Sequence, residues 1–100
     1  MNKLDLKTKY AVDMTSSFKK QYKKIIKQGK NIKKFIYVLE KLANGEELEE
    51  KYKNHQLIND KYYKDCYECH IEPDWLLIYQ YQNQKIVLLL VGIGSHSELF

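Results

Sequence analysis

The sequence contains no arginine, so all 17 of its basic side chains are lysines. That absence denies any site the planar guanidinium fork, and positive charge must come from compact ammonium groups. Proline and tryptophan occur once each, at Pro73 and Trp75, and both fall in the stretch Tyr67 to Tyr79. One proline and four glycines exclude collagenous and low-complexity chains. Two cysteines, Cys66 and Cys69, are too few for a disulfide framework, and without an export signal they are expected to be reduced thiols in the cytoplasm. The opening Met1-Asn2-Lys3-Leu4-Asp5-Leu6 lacks the apolar core of a signal peptide. No apolar run approaches the ~20 residues of a membrane span. What is present is ordinary globular material. At 44% hydrophobic and 30% charged, 100 residues suffice for a single domain over residues 1–100 with one small core.

The net charge of +4 is unevenly spread. Residues 1–44 carry twelve lysines against three acids, and residues 45–100 carry five lysines against ten acids. A basic half suits a polyanionic or acidic partner, because clustered lysines concentrate phosphates around them. The same run is also what a solvated helix face looks like.

Lys7 to Met14 alternates loosely around Tyr10 and Val12, which predicts a first strand. Thr15-Ser16-Ser17 offers hydroxyls to cap a helix whose apolar face is Phe18, Tyr22, Ile25 and Ile26. Lys19, Lys20, Lys23, Lys24 and Lys27 cover the rest of that helix, and Gly29 is placed to end it. Asn31 caps a second helix with Ile32, Phe35, Ile36, Leu39 and Leu42 as its apolar stripe, stopped by Asn44-Gly45. So short a link makes the pair an antiparallel hairpin. In the irregular stretch Glu46 to Asp60, Leu48 and Tyr52 are expected to touch the core, while Asn54-His55-Gln56 and Asn59-Asp60 read as loop. Strands are predicted over residues 65–71, 74–82 and 85–93, with Pro73 separating the first two and Gln82-Asn83-Gln84 turning a hairpin. Ile86 to Val91 is continuously apolar, which predicts an interior strand buried on both faces. The predicted class is α+β: an N-terminal strand, a two-helix hairpin on a mostly antiparallel sheet of about four strands, and a short C-terminal tail.

Alternate residues of a strand share a face, so Glu68 and His70 point one way and Cys69 and Ile71 the other. If Cys69 and Ile71 are packed, Glu68 and His70 stand together on the open face. His55 in the preceding loop, His96 after the last strand, and Asp74 are expected to converge there. Imidazoles tuned by carboxylates suit acid–base chemistry, although scattered surface histidines carry no such role. Cys66-Tyr67-Glu68-Cys69-His70 has the spacing of half a zinc knuckle, with His55 or His96 as further ligands. Residues i and i+3 of a strand diverge, however, and there is no second cysteine pair. Trp75 reads as core, or as a ring able to stack a base.

His55-x-Leu57, the run Cys69-His70-Ile71-Glu72-Pro73-Asp74-Trp75-Leu76-Leu77-Ile78-Tyr79 and the ending Gly94-Ser95-His96-Ser97-Glu98-Leu99-Phe100 resemble the YafQ branch of the RelE/ParE superfamily of toxins. Thr15-Ser16-Ser17-Phe18-Lys19-Lys20-x-Tyr22-Lys23-Lys24 matches as well, so the resemblance spans nearly the whole chain. It implies a RelE-like fold and a ribosome-dependent mRNA endoribonuclease of a bacterial type II toxin–antitoxin system. Its implied partners are the 70S ribosome with its rRNA, mRNA in the A site, and a cognate antitoxin protein, with no membrane, metal or small-molecule cofactor. The resemblance further implies attack of a ribose 2′-hydroxyl on the adjacent phosphate with loss of the 5′-oxygen. His55, Glu68, His70, Asp74 and His96 match active-site positions, and Phe100 matches the terminal aromatic. His96 is expected to be the acid and His70, His55 or Asp74 the base, with Glu68 and Asp74 orienting the imidazoles. Trp75 and Phe100 would position a base or shape the site. Lys19, Lys20, Lys23 and Lys24 would meet RNA phosphates.

One departure bears on mechanism. Members of this branch typically carry an arginine two residues before the Gly-Ser/Thr-His motif, where this chain has Gly92, and another at the position of Tyr67. Losing a cation that stabilises the transition state typically costs about 10²–10³ in rate. Lys64 or Lys85 standing in, charge supplied by the ribosome, and an attenuated form are the three explanations open at this point.

Overall fold

The computed structural model describes residues 8–100, and the opening of the predicted first strand at Lys7 lies outside them. β1 (Ala11–Met14) leads into α1 (Ser16–Lys27) and α2 (Ile32–Ala43). A 3-10 turn (Glu50–Tyr52) then precedes β2 (His55–Gln56), β3 (Tyr67–Glu72), β4 (Trp75–Gln82), β5 (Val87–Gly94) and α3 (His96–Leu99). The five strands form one sheet in the order β1-β5-β4-β3-β2, parallel only between β1 and β5.

Local chemistry sets the helix ends where the sequence places them. The Thr15 hydroxyl accepts from the Phe18 amide at 3.0 Å, and the Asn31 side chain accepts from the Lys33 amide at 3.1 Å. Gly29 and Gly45 follow the two helices at φ +74° and +71°. The helices bury Phe18, Tyr22, Ile25, Phe35, Leu39 and Leu42 against one face of the sheet, where Cys69, Trp75, Leu77, Tyr79, Leu88 and Leu90 meet them. Ile26 is half exposed instead, because at about 100° per residue it is turned some 80° from Phe18.

Three local expectations are corrected. The sheet has five strands, since His55–Gln56 pairs with Glu68 and Tyr67 rather than forming loop. Ile86 is no strand residue: it closes the β4–β5 turn at φ +54° and is half exposed. Nor is β5 buried on both faces, because the helices cover only one. Leu88 and Leu90 are sealed beneath them, while Val87, Leu89 and Val91 remain partly exposed. On the uncovered face a smaller cluster of Cys66, Leu76, Ile78 and Leu99 anchors α3 to the sheet. That face carries the site.

Candidate active site

Strand alternation holds as expected. Cys69 and Ile71 enter the helix-side core, and Glu68 and His70 stand on the open face. The two-residue strand β2 sets His55 directly opposite Glu68. Glu68 Oε1 therefore lies 3.5 Å from His55 Nε2 and 3.4 Å from His70 Nε2. The carboxylate is buried, with its side chain 8% exposed, while His55 is 51% and His70 23% exposed. Both rings are fixed from behind: His55 Nδ1 lies 2.7 Å from the Lys53 carbonyl, and His70 Nδ1 lies 3.1 Å from the Pro73 carbonyl. A carbonyl oxygen only accepts, so each ring carries a proton on Nδ1 and turns Nε2 toward Glu68. A proton arriving on either Nε2 is received beside a carboxylate.

The second half of the site is built by the β3–β4 turn and α3. The backbone N–H of His96 donates to Asp74 Oδ1 at 2.9 Å. The His96 ring stacks on Phe100 with centroids 5.0 Å apart, and Phe100 meets Tyr63 edge-on at 5.4 Å. The Tyr63 hydroxyl donates to the Leu99 carbonyl at 2.8 Å. α3 is fixed further by a capping box between Ser95 and Glu98 and by the Lys24–Glu98 ion pair. The Lys24 ammonium, with help from Ser95, holds the Glu98 carboxyl down to about 2. A cavity of about 690 Å³ opens beside Asp74, lined by Lys30, Lys34, Glu72, Ser97 and Glu98.

The expected residues thus form two clusters rather than one. His70, Leu76 and Gly94 are neighbours across β3, β4 and β5, which sets the His70 and Gly94 backbones about 10 Å apart at the usual strand spacing. The gap is bridged along the chain, because Pro73, which contacts His70, is followed by Asp74, which holds His96. Any substrate that met both halves would have to lie across the open face.

Gly92 sits in the adjoining row, opposite Ile78 and in line with Glu68 and His55. An arginine there would rise from the open face itself. A Cβ at Gly92 would come 3.3 Å from Leu99 Cδ2, so that side chain would have to give slightly. Lys85 cannot stand in, since it lies in the turn beyond Gln82 and Val87, at the far end of the sheet from Gly94. Lys64 lies nearer, with its carbonyl accepting from Gln80 Nε2 at 3.2 Å.

One further expectation changes. Trp75 is fully buried on the helix side and closed to a stacking base. It supports the Asp74 turn from below, with Lys30 Nζ 5.6 Å from its ring. The two thiols diverge as strand alternation requires: Cys69 faces the helix-side core and Cys66 the other cluster, and burial raises both above their usual range. Among the described residues no three His, Cys, Asp or Glu groups converge to hold a metal ion. Lys19, Lys20, Lys23 and Lys24 are exposed on α1, and Lys24 is occupied by Glu98. Sequence reasoning missed Lys51 and Lys53, which border His70 across a second cavity. Their only signal was nearness in sequence to His55.

The family described as "Bacterial toxin of type II toxin-antitoxin system, YafQ" matches residues 10–100. The "mRNA interferase toxin YafQ" of Escherichia coli K12 is 32% identical over 91 residues, covering 89% of this chain and 94% of the relative. A metal-bound toxin from Helicobacter pylori superposes with a TM-score of 0.82 at 42% identity, covering 89% of this chain and 97% of that one. The toxin of the E. coli DinJ–YafQ toxin–antitoxin complex superposes with a TM-score of 0.80 at 29% identity, over 92% and 98% of the two chains.

Proposed function

The chain belongs to the YafQ family of bacterial type II toxin–antitoxin toxins, and from that premise we propose that it is a ribosome-dependent mRNA endoribonuclease acting in the cytoplasm. The observation that carries the reading is the Glu68 carboxylate shared by His55 and His70 on an open sheet face, with Asp74 fastening His96 alongside. His55 or His70 takes the proton of the ribose 2′-hydroxyl on Nε2, and Glu68 stabilises the imidazolium that results. The 2′-oxygen bonds to phosphorus, the bond from phosphorus to the 5′-oxygen breaks, and His96 protonates the departing oxygen. The products are a 2′,3′-cyclic phosphate and a 5′-hydroxyl. Every group in this scheme is a protein side chain, and it calls on no metal or cofactor.

The relative in the DinJ–YafQ complex is held by an antitoxin, and we assign this chain a cognate antitoxin of the same kind. The basic helices suit ribosomal RNA, or an acidic antitoxin segment that folds on binding. The absence of a cation at Gly92 favours a second reading, a non-catalytic or attenuated module that binds ribosome or antitoxin. Induction in a bacterial host, with cut sites mapped on translated message, tests both. Growth arrest with message cleavage is expected for the chain as it stands, and loss of cleavage by about 10²–10⁴ for His96→Ala. Equal toxicity of His96→Ala refutes the assigned acid. Toxicity confined to Gly92→Arg establishes the attenuated form.

A further inference from the structure

β2 covers only the start of β3, pairing with Tyr67 and Glu68. Beyond it, the edge of β3 faces the 3-10 turn across a cavity of about 470 Å³. Its apolar walls are Tyr52, Ile71 and Pro73, and its charged lining is Lys34, Lys51, Lys53 and Glu72, with His70 on the side of the active site. Glu72 is already neutralised: Lys34 Nζ lies 2.8 Å and Lys30 Nζ 3.6 Å from its carboxylate, which lowers its titration. Lys51 and Lys53 have no acidic partner among the described residues. Lys51 Nζ stands 5.2 Å from the Tyr52 ring. Lys53 is held at φ +48°, an uncommon conformation for a residue other than glycine, while its carbonyl braces His55. The backbone that orients one imidazole thus also presents a lysine beside the other.

An apolar slot edged by unpaired ammonium groups is shaped for a nucleotide, and its volume lies within the range of small-ligand sites. We propose that this cavity is a nucleotide subsite, holding a residue that flanks the scissile bond. Lys51 and Lys53 contact its phosphate, and Tyr52 and Pro73 lie against its base or sugar. This inference rests on the ribonuclease reading and sharpens it: the phosphate-binding charge enters from the edge of β3, not from β5, where Gly92 stands.

The test uses a dinucleotide whose first sugar lacks the 2′-hydroxyl, so that it binds without being cut. Binding is titrated by NMR against the unsubstituted chain, the double variant Lys51→Gln/Lys53→Gln and a charge-matched control outside the cavity, Lys61→Gln/Lys85→Gln. The expected result is resonance shifts at Tyr52 and His70, affinity about tenfold weaker or more in the first double variant, near-parental affinity in the control, and retention by Lys53→Arg. Parental affinity in Lys51→Gln/Lys53→Gln, or an equal loss in the control, overturns the subsite. Message cleavage by the unsubstituted chain is scored separately. Binding at Lys51 and Lys53 without cleavage leaves the subsite standing and removes the ribonuclease reading.

Discussion

Glu68 is the only acid buried among the described residues, and it is buried between two histidines that lie far apart in sequence. Glu68→Gln keeps the shape and removes the charge. Message cleavage is expected to fall by about 10²-fold, because a proton taken by His55 or His70 is no longer stabilised. Message-cleavage assays check this, with thermal melting to show an intact fold. The shared face of Glu68 and His70 was legible in the sequence, since strand alternation alone dictates it. That His55 would join them was expected, but its place on a strand opposite Glu68 was not, because that depends on where the stretch from Leu57 to Cys66 returns the chain. Trp75 shows the opposite failure. Its neighbours in sequence are site residues, yet the same alternation turns its ring beneath the sheet.

Among the elements, α3 is the one whose stability should follow pH. Glu98 titrates near 2, below the usual glutamate value near 4.5, because of Lys24 and Ser95. A depressed acid stabilises the docked helix fully above the unfolded value, and the contribution fades as pH falls from there toward about 2. Amide protection at Leu99 and Phe100, measured against the intrinsic exchange rate at each pH, should therefore fall in that acid window, and Glu98→Gln should flatten the response. Ser95→Ala breaks the capping box and is expected to cost about 1 kcal/mol, measurable by denaturant titration. The long elements were legible because periodicity and caps agree over a dozen residues or so. The 3-10 turn and β2 were not, since elements of three and two residues carry no periodicity and exist through their partners.

For the whole molecule, helices seal one face of the sheet and leave the other to the candidate site, so core packing can be altered without touching the candidate site residues. Phe35→Ala, in the sealed layer, is expected to cost about 3–5 kcal/mol in denaturant unfolding without touching an active-site group. On the proposed ribosome-dependent reading, ribosome affinity should fall steeply with salt, and Lys19→Gln/Lys23→Gln should flatten that dependence by about 0.7 in the log–log slope for each phosphate no longer neutralised. The fold class was legible from the order of elements, while the division of the site into two halves required the register. The parallel pairing of β1 with β5 has a consequence in time. β5 lies between β1 and β4, yet it is made after every other strand. During synthesis the sheet lacks one of its interior strands, and Asp74 has no His96 to hold, until the last described segment leaves the exit tunnel. Stalled chains ending before Val87 should accordingly be digested by protease as unfolded polypeptide.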